Sequence, residues 1–115
     1  LKDLREKILE GYSGYMRFAK LLRLVERIGR NTSWEKNEDL KTFLYESLGL
    51  IYSLGMKETI YGACEEAAGI AEAFGIPLEH AGIDIEKIAK QMENFKAKIE
   101  MKKMEIERAK KSKKD

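Results

Sequence analysis

At 115 residues the chain falls in the range of one domain around one core. Its 43% apolar and 37% charged residues exclude a disordered chain, and no apolar run approaches the roughly 18 residues of a membrane span. The net charge of +2 excludes neither acidic nor basic partners. Cys64 stands alone, so no internal disulfide is expected, and no segment reads as a secretory leader; both point to the cytoplasm. With His80 as the one histidine, zinc-finger spacings and a Ser-His-Asp triad have little to draw on. The single Gln and the many Lys and Glu resemble the surfaces of heat-adapted proteins.

The first helix is predicted over residues 2–29, with Leu4, Ile8, Tyr12, Tyr15, Ala19 and Leu22 on one face and Gly29 as a left-handed cap. Thr32 and Glu35 have the spacing of a capping box, which starts a second helix near Ser33. Leu40, Leu44, Leu48 and Ile51 form its stripe, and Gly55 is its predicted stop. A third helix, 56–74, buries a face of small side chains, Ala63, Cys64, Ala67 and Ala71 among them, and ends at Gly75. Pro77 opens a short turn broken at Gly82, and Asp84 caps a last helix over about 85–111.

No stretch alternates as a strand would. The expected fold is therefore all-α: an antiparallel bundle of about four helices in residues 1–107, with 108–115 as a frayed basic tail. The last helix, as a rod of about 40 Å, would project beyond the shorter inner pair.

Charge is strongly segregated. Residues 1–30 carry eight basic and four acidic side chains, 31–86 three and eleven, and 87–115 eleven and five. Basic end helices flanking acidic inner ones would bring unlike charges together across the seams.

Three functional readings follow. Ile88, Met92, Phe95, Ile99 and Ile106 continue a heptad-like series, interrupted at Lys102, past the length the inner helices cover. They form an expected interface for a second copy or a protein partner, in a non-enzymatic assembly module without a cofactor. Arg108, Lys110, Lys111, Lys113 and Lys114, with Arg17, Lys20, Arg23, Arg27 and Arg30, could instead hold nucleic acid phosphates. No membrane partner is expected. Glu46, Glu58, Glu65 and Glu66 are the candidate magnesium ligands of an enzyme reading, because clustered carboxylates bind hard cations.

The enzyme reading draws on one resemblance. Ala71-Glu72-Ala73-Phe74-Gly75-Ile76-Pro77-Leu78-Glu79, followed by Lys90 and Asn94, resembles the later part of the MazG-like all-α nucleotide pyrophosphohydrolases over about a quarter of the chain. That resemblance implies a magnesium-dependent hydrolase, whose metal the family holds with an E-x-x-E motif on one helix and an E-x-x-D motif on the next. Glu35 and Glu38 match the first motif, and no E-x-x-D follows them, which makes the chain a degenerate relative on this reading.

Overall fold

The computed structural model describes the backbone of residues 2–11, 15–92 and 94–114, and within these the side chains of 4–8, 16, 18–92 and 94–110. Its elements are α1 (Lys2–Gly11), α2 (Tyr15–Asn31), a 3₁₀ turn (Trp34–Lys36), α3 (Glu38–Lys57), α4 (Tyr61–Ala73), a second 3₁₀ turn (Leu78–Ala81), α5 (Ile85–Gln91) and α6 (Phe95–Lys114). The chain is all-α, as its periodicity requires.

The core is built from one face of each long helix. Phe18, Leu21 and Val25 of α2 are fully buried, as are Leu44, Leu48 and Ile51 of α3, Cys64, Ala67 and Ile70 of α4, and Ile88 of α5. Ile99 and Ile106 of α6 close it. Of the predicted first-helix face, Leu22 is buried, Ile8 and Ala19 are half-buried and Leu4 is exposed, while Tyr12 and the side chain of Tyr15 lie outside the described residues.

The helix predicted over 2–29 is described as two elements, α1 and α2, with 12–14 outside the described residues, and the other boundaries that differ from the sequence expectation do so for local reasons. The Thr32 hydroxyl donates back to the Ile28 carbonyl at 2.7 Å, so it does not cap the next helix. Asn37 takes that role by accepting from the Leu40 amide at 3.2 Å, after the 3₁₀ turn has buried Trp34. Gly29 and Gly55 lie inside α2 and α3 and not at their ends. They are glycines because neighbours come close: a Cβ at 29 would collide with the Phe74 ring, and one at 55 would sit 2.6 Å from the Cys64 sulfur.

The last difference matters most for function. The predicted rod over 85–111 is broken between α5 and α6, where Met92 is extended (φ −138°, ψ 132°) and Asn94 takes φ +58°, a left-handed conformation that Asn tolerates better than most residues. An unbroken rod of about 40 Å would exceed the longest dimension of the molecule, 37 Å. Instead α6 lies across α4, and their backbones approach closely at Gly69. A Cβ there would be 2.7 Å from Cβ of Lys102 and 3.2 Å from the Ile99 carbonyl oxygen. Other expected signals hold: Asp84 accepts from the Glu86 and Lys87 amides, and Gly75 and Gly82 have φ of +71° and +72°.

Two stability predictions follow from these backbones. Gly69→Ala forces α6 away from α4 and is expected to lower the free energy of unfolding by about 1–3 kcal/mol in urea titration. Thr59, between α3 and α4, is a β-branched residue held at φ +58°. Thr59→Asn is expected to raise stability by up to about 1 kcal/mol in the same assay, because Asn bears that conformation with less strain.

Candidate functional site

A helix rotates about 100° per residue, so α6 presents one face to α4 and an opposite one to solvent. Phe95, Ile99 and Ile106 occupy the inner face at 8%, 3% and 1% exposure. With buried Ile88 and partly buried Met92 from the preceding segment, they are the five residues expected to form an intermolecular interface. They face this chain's own core instead. The end of α5 at Gln91 and the separate start of α6 at Phe95 are the cause, since they fold the apolar series back over α4 where a straight rod would have carried it outward.

The outer face of α6 holds a second, shorter apolar stripe that the sequence reading missed. Ala97, Met101 and Met104 recur at steps of four and three and are exposed, and the exposed Arg108 follows four residues further on. Met101 and Met104 are 68% and 48% exposed, and they are two of the four large apolar side chains exposed among the described residues. The signal was present as spacing, but the stronger series of Phe and Ile on the other face masked it. Lys98 and Glu105 flank the stripe on one side. Glu100 and Glu107 flank it on the other, with Lys96 and Lys103 beside them.

Lys102, which seemed to interrupt the apolar series, sits in the seam. Its ammonium is 2.7 Å from the Glu26 carboxylate, and both side chains are mostly buried, so it ties α6 to α2 across the Gly69 crossing. Burial alone would lower the Lys102 pKa, but the hydrogen bond to Glu26 and the charges of Glu26, Glu105 and Glu66 together raise it. Beside it is a cleft of about 210 Å³ lined by Glu65, Glu66, Lys98, Met101, Lys102 and Glu105. Glu65 is buried there, 3.8 Å from the Lys98 ammonium, and its Oε2 has no hydrogen-bond donor. Burial raises its pKa, Lys98 opposes that shift, and Glu66 adds to it.

The candidate metal ligands do not converge. Glu46 on α3 pairs with Arg5 of α1 at 3.2 Å, Glu58 is exposed at the end of α3, and of the four only Glu65 and Glu66 are neighbours. Among the described residues, no three His, Cys, Asp or Glu side chains gather where they could hold a metal ion. The reason is the fold: stepping 12 residues along α3 separates Glu46 from Glu58 by about 18 Å of helix axis. Glu35 lies in the first 3₁₀ turn and Glu38 opens α3, so the E-x-x-E spacing is split between two elements. Cys64 is fully buried, with its thiol pKa raised by burial to about 11, and the thiol donates to the Tyr52 carbonyl at 3.4 Å. His80 stacks on Tyr45 instead of meeting it.

The basic candidates are also divided. Arg108 is exposed, but Lys110 donates to the Ala73 carbonyl at 3.2 Å and lies 4.7 Å over the Phe74 ring. It caps the carboxyl end of α4, where helix carbonyls attract a cation. The backbone of α6 continues as helix through Lys114, so no element ends at the predicted boundary near 108. The side chains of Arg17, Lys111, Lys113 and Lys114 lie outside those described. Lys20, Arg23 and Arg27 are on the exposed side of α2, and Arg30 is half-buried.

Comparison with known protein families, with curated proteins and with solved structures finds no match to this chain. Among the described residues no helix is long and apolar enough to cross a membrane.

The cleft beside α6 generates a pH prediction. Because its pKa is raised, the folded chain holds the Glu65 proton more tightly than the unfolded chain does. The ionised carboxylate therefore lowers stability at neutral pH, and this penalty fades as the pH falls through its folded pKa. Glu65→Gln is expected to be more stable than the parent at pH 7. The difference should vanish below the ordinary glutamate range, as followed by urea unfolding across pH.

Proposed function

We propose that the chain is a non-enzymatic helical assembly module that associates with a second copy of itself through the outer face of α6. The observation that carries this reading is the exposed Met101–Met104 pair, one turn apart on the side of α6 away from the core. Methionine is a flexible and polarisable contact residue, suited to a surface that pairs and releases. The charged flanks of the stripe contain both signs, which favours a partner that also carries both.

The stripe is short. A contact of two or three helical turns falls below the roughly 1,200–2,000 Å² buried by standard stable interfaces, so association should be weak and concentration-dependent. On this reading the module assembles when crowded or when several copies are held near one another. The enzyme and nucleic acid readings have less support, because the proposed metal ligands are dispersed and Lys110 is engaged with α4.

Light scattering and sedimentation equilibrium at rising protein concentration test the reading. The parent is expected to move from monomer toward a larger species. A Met101→Glu and Met104→Glu double variant is expected to remain monomeric with unchanged circular dichroism, since both side chains are exposed. A parent that stays monomeric to millimolar concentration, or a variant that associates as well as the parent, would rule the reading out.

A further inference from the structure

The cleft between α4 and α6 holds a carboxylate oxygen to which no described residue donates. Glu65 is 9% exposed, and its Oε2 is buried without a hydrogen-bond partner. The Lys98 ammonium stands off at 3.8 Å, beyond hydrogen-bond reach, on a side chain that is half-exposed. An ionised carboxylate buried in this way is costly until a donor reaches it, and burial pushes the Glu65 pKa up accordingly.

The charges around the cleft leave a negative surplus. Three carboxylates, Glu65, Glu66 and Glu105, line it against two ammonium groups, Lys98 and Lys102. Lys102 is held 2.7 Å from Glu26, a carboxylate outside the lining, so its charge is already matched. Lys98 is then the lining cation left to balance three carboxylates, and its half-exposed side chain has room to swing outward. The carboxylates come from both walls, Glu65 and Glu66 from α4 and Glu105 from α6. Among the described residues they do not gather round one point as a metal ion needs. A ligand with two positive centres spans them where a single ion does not. Met101 lines the same cleft and offers a polarisable apolar wall to the carbons that link those centres. The volume of about 210 Å³ matches that of about seven waters at roughly 30 Å³ each, enough for a short chain.

We infer that this cleft binds a short aliphatic diammonium ligand of the size of 1,4-diaminobutane, with one ammonium donating to Glu65 in place of Lys98 and the other set toward Glu105. Lys98 is the built-in competitor, since its ammonium approaches the same carboxylate and must move outward for the ligand to enter. Both lysines repel the ligand, so binding is weak, and it weakens further as salt is raised. This inference stands apart from self-association and holds for a monomer as for a dimer.

The test is an NMR titration of the isotopically labelled chain with 1,4-diaminobutane at pH 7, at low protein concentration, followed by the backbone amide shifts. Saturable shifts are expected, concentrated at residues 65–66, 98–102 and 105. Glu65→Gln removes the charged acceptor and is expected to weaken binding about tenfold or more. That variant is expected to be at least as stable as the parent at this pH, so unfolding does not account for the loss. Lys98→Ala removes the competing ammonium and should tighten binding. Butylamine, with one ammonium on the same carbon chain, should bind more weakly than the diamine, and magnesium chloride at matched ionic strength should leave these amides in place. Glu79→Gln, which removes an exposed carboxylate that does not line the cleft, should leave the affinity unchanged. The inference is overturned by shifts that do not saturate, by equal weakening in Glu65→Gln and Glu79→Gln, or by a Lys98→Ala chain that binds no tighter than the parent. Equal binding of butylamine, or the same shifts with magnesium, would overturn the diammonium ligand itself.

Discussion

The arrangement of this bundle depends on how closely α6 approaches α4, and residue 69 sets that distance. Only a hydrogen at this position lets the Lys102 side chain and the Ile99 carbonyl come within reach of the α4 backbone. The close crossing brings Ile99 and Ile106 into the core and carries the Lys102 ammonium to Glu26. One glycine therefore supports three consequences: a buried apolar face, a mostly buried ion pair, and a fixed rotation of α6 about its own axis. That rotation decides which side chains are left facing solvent.

Much of the fold was legible in the sequence because helical periodicity is written residue by residue. The α3 stripe from Leu40 to Ile51, the small-residue face of α4, the Asp84 cap and the left-handed Gly75 and Gly82 all follow from local chemistry. Gly29 and Gly55 were misread for a reason that is equally physical. Glycine serves both where a chain turns left-handed and where a neighbour presses against a helix, and only the second partner, Phe74 or Cys64, tells the two apart. The break between α5 and α6 was hidden because Ile85, Ile88, Met92, Phe95 and Ile99 keep helical spacing across it. Both α5 and α6 bury apolar faces in the same core, so the pattern continues although the helix does not.

The charge segregation has a structural outcome of the simple kind. Arg5 of the basic amino-terminal segment meets Glu46 of the acidic middle, and Lys98 of the basic carboxyl-terminal segment meets Glu65. Lys102–Glu26 departs from this scheme by joining the two basic ends, and it is the closest and best shielded of the three. Lys110 adds a fourth basic contact by capping α4. Basic side chains that looked like a phosphate-binding surface in the sequence are thus partly engaged in holding helix ends and seams together. The candidate site was less legible than the fold for the same reason: a sequence displays charges but does not say which of them are already paired.

The exposed methionines are best understood through the alternative that the chain avoids. Rotating α6 by one residue would bring Met101 toward α4, but it would also turn Lys102 away from Glu26 and swing Phe95, Ile99 and Ile106 from the core toward water. Those three inner residues offer more apolar surface than Ala97, Met101 and Met104, and burial stabilises in proportion to that area, at about 25 cal/mol per Å². The Gly69 crossing then holds the favoured rotation against drift. The outer stripe is therefore fixed in place by the inner one: a rigid helix, packed along its opposite side, holds two polarisable side chains toward solvent between charges of both signs. Such a surface needs little reordering to meet a partner, which reduces the entropic penalty that otherwise weakens small interfaces.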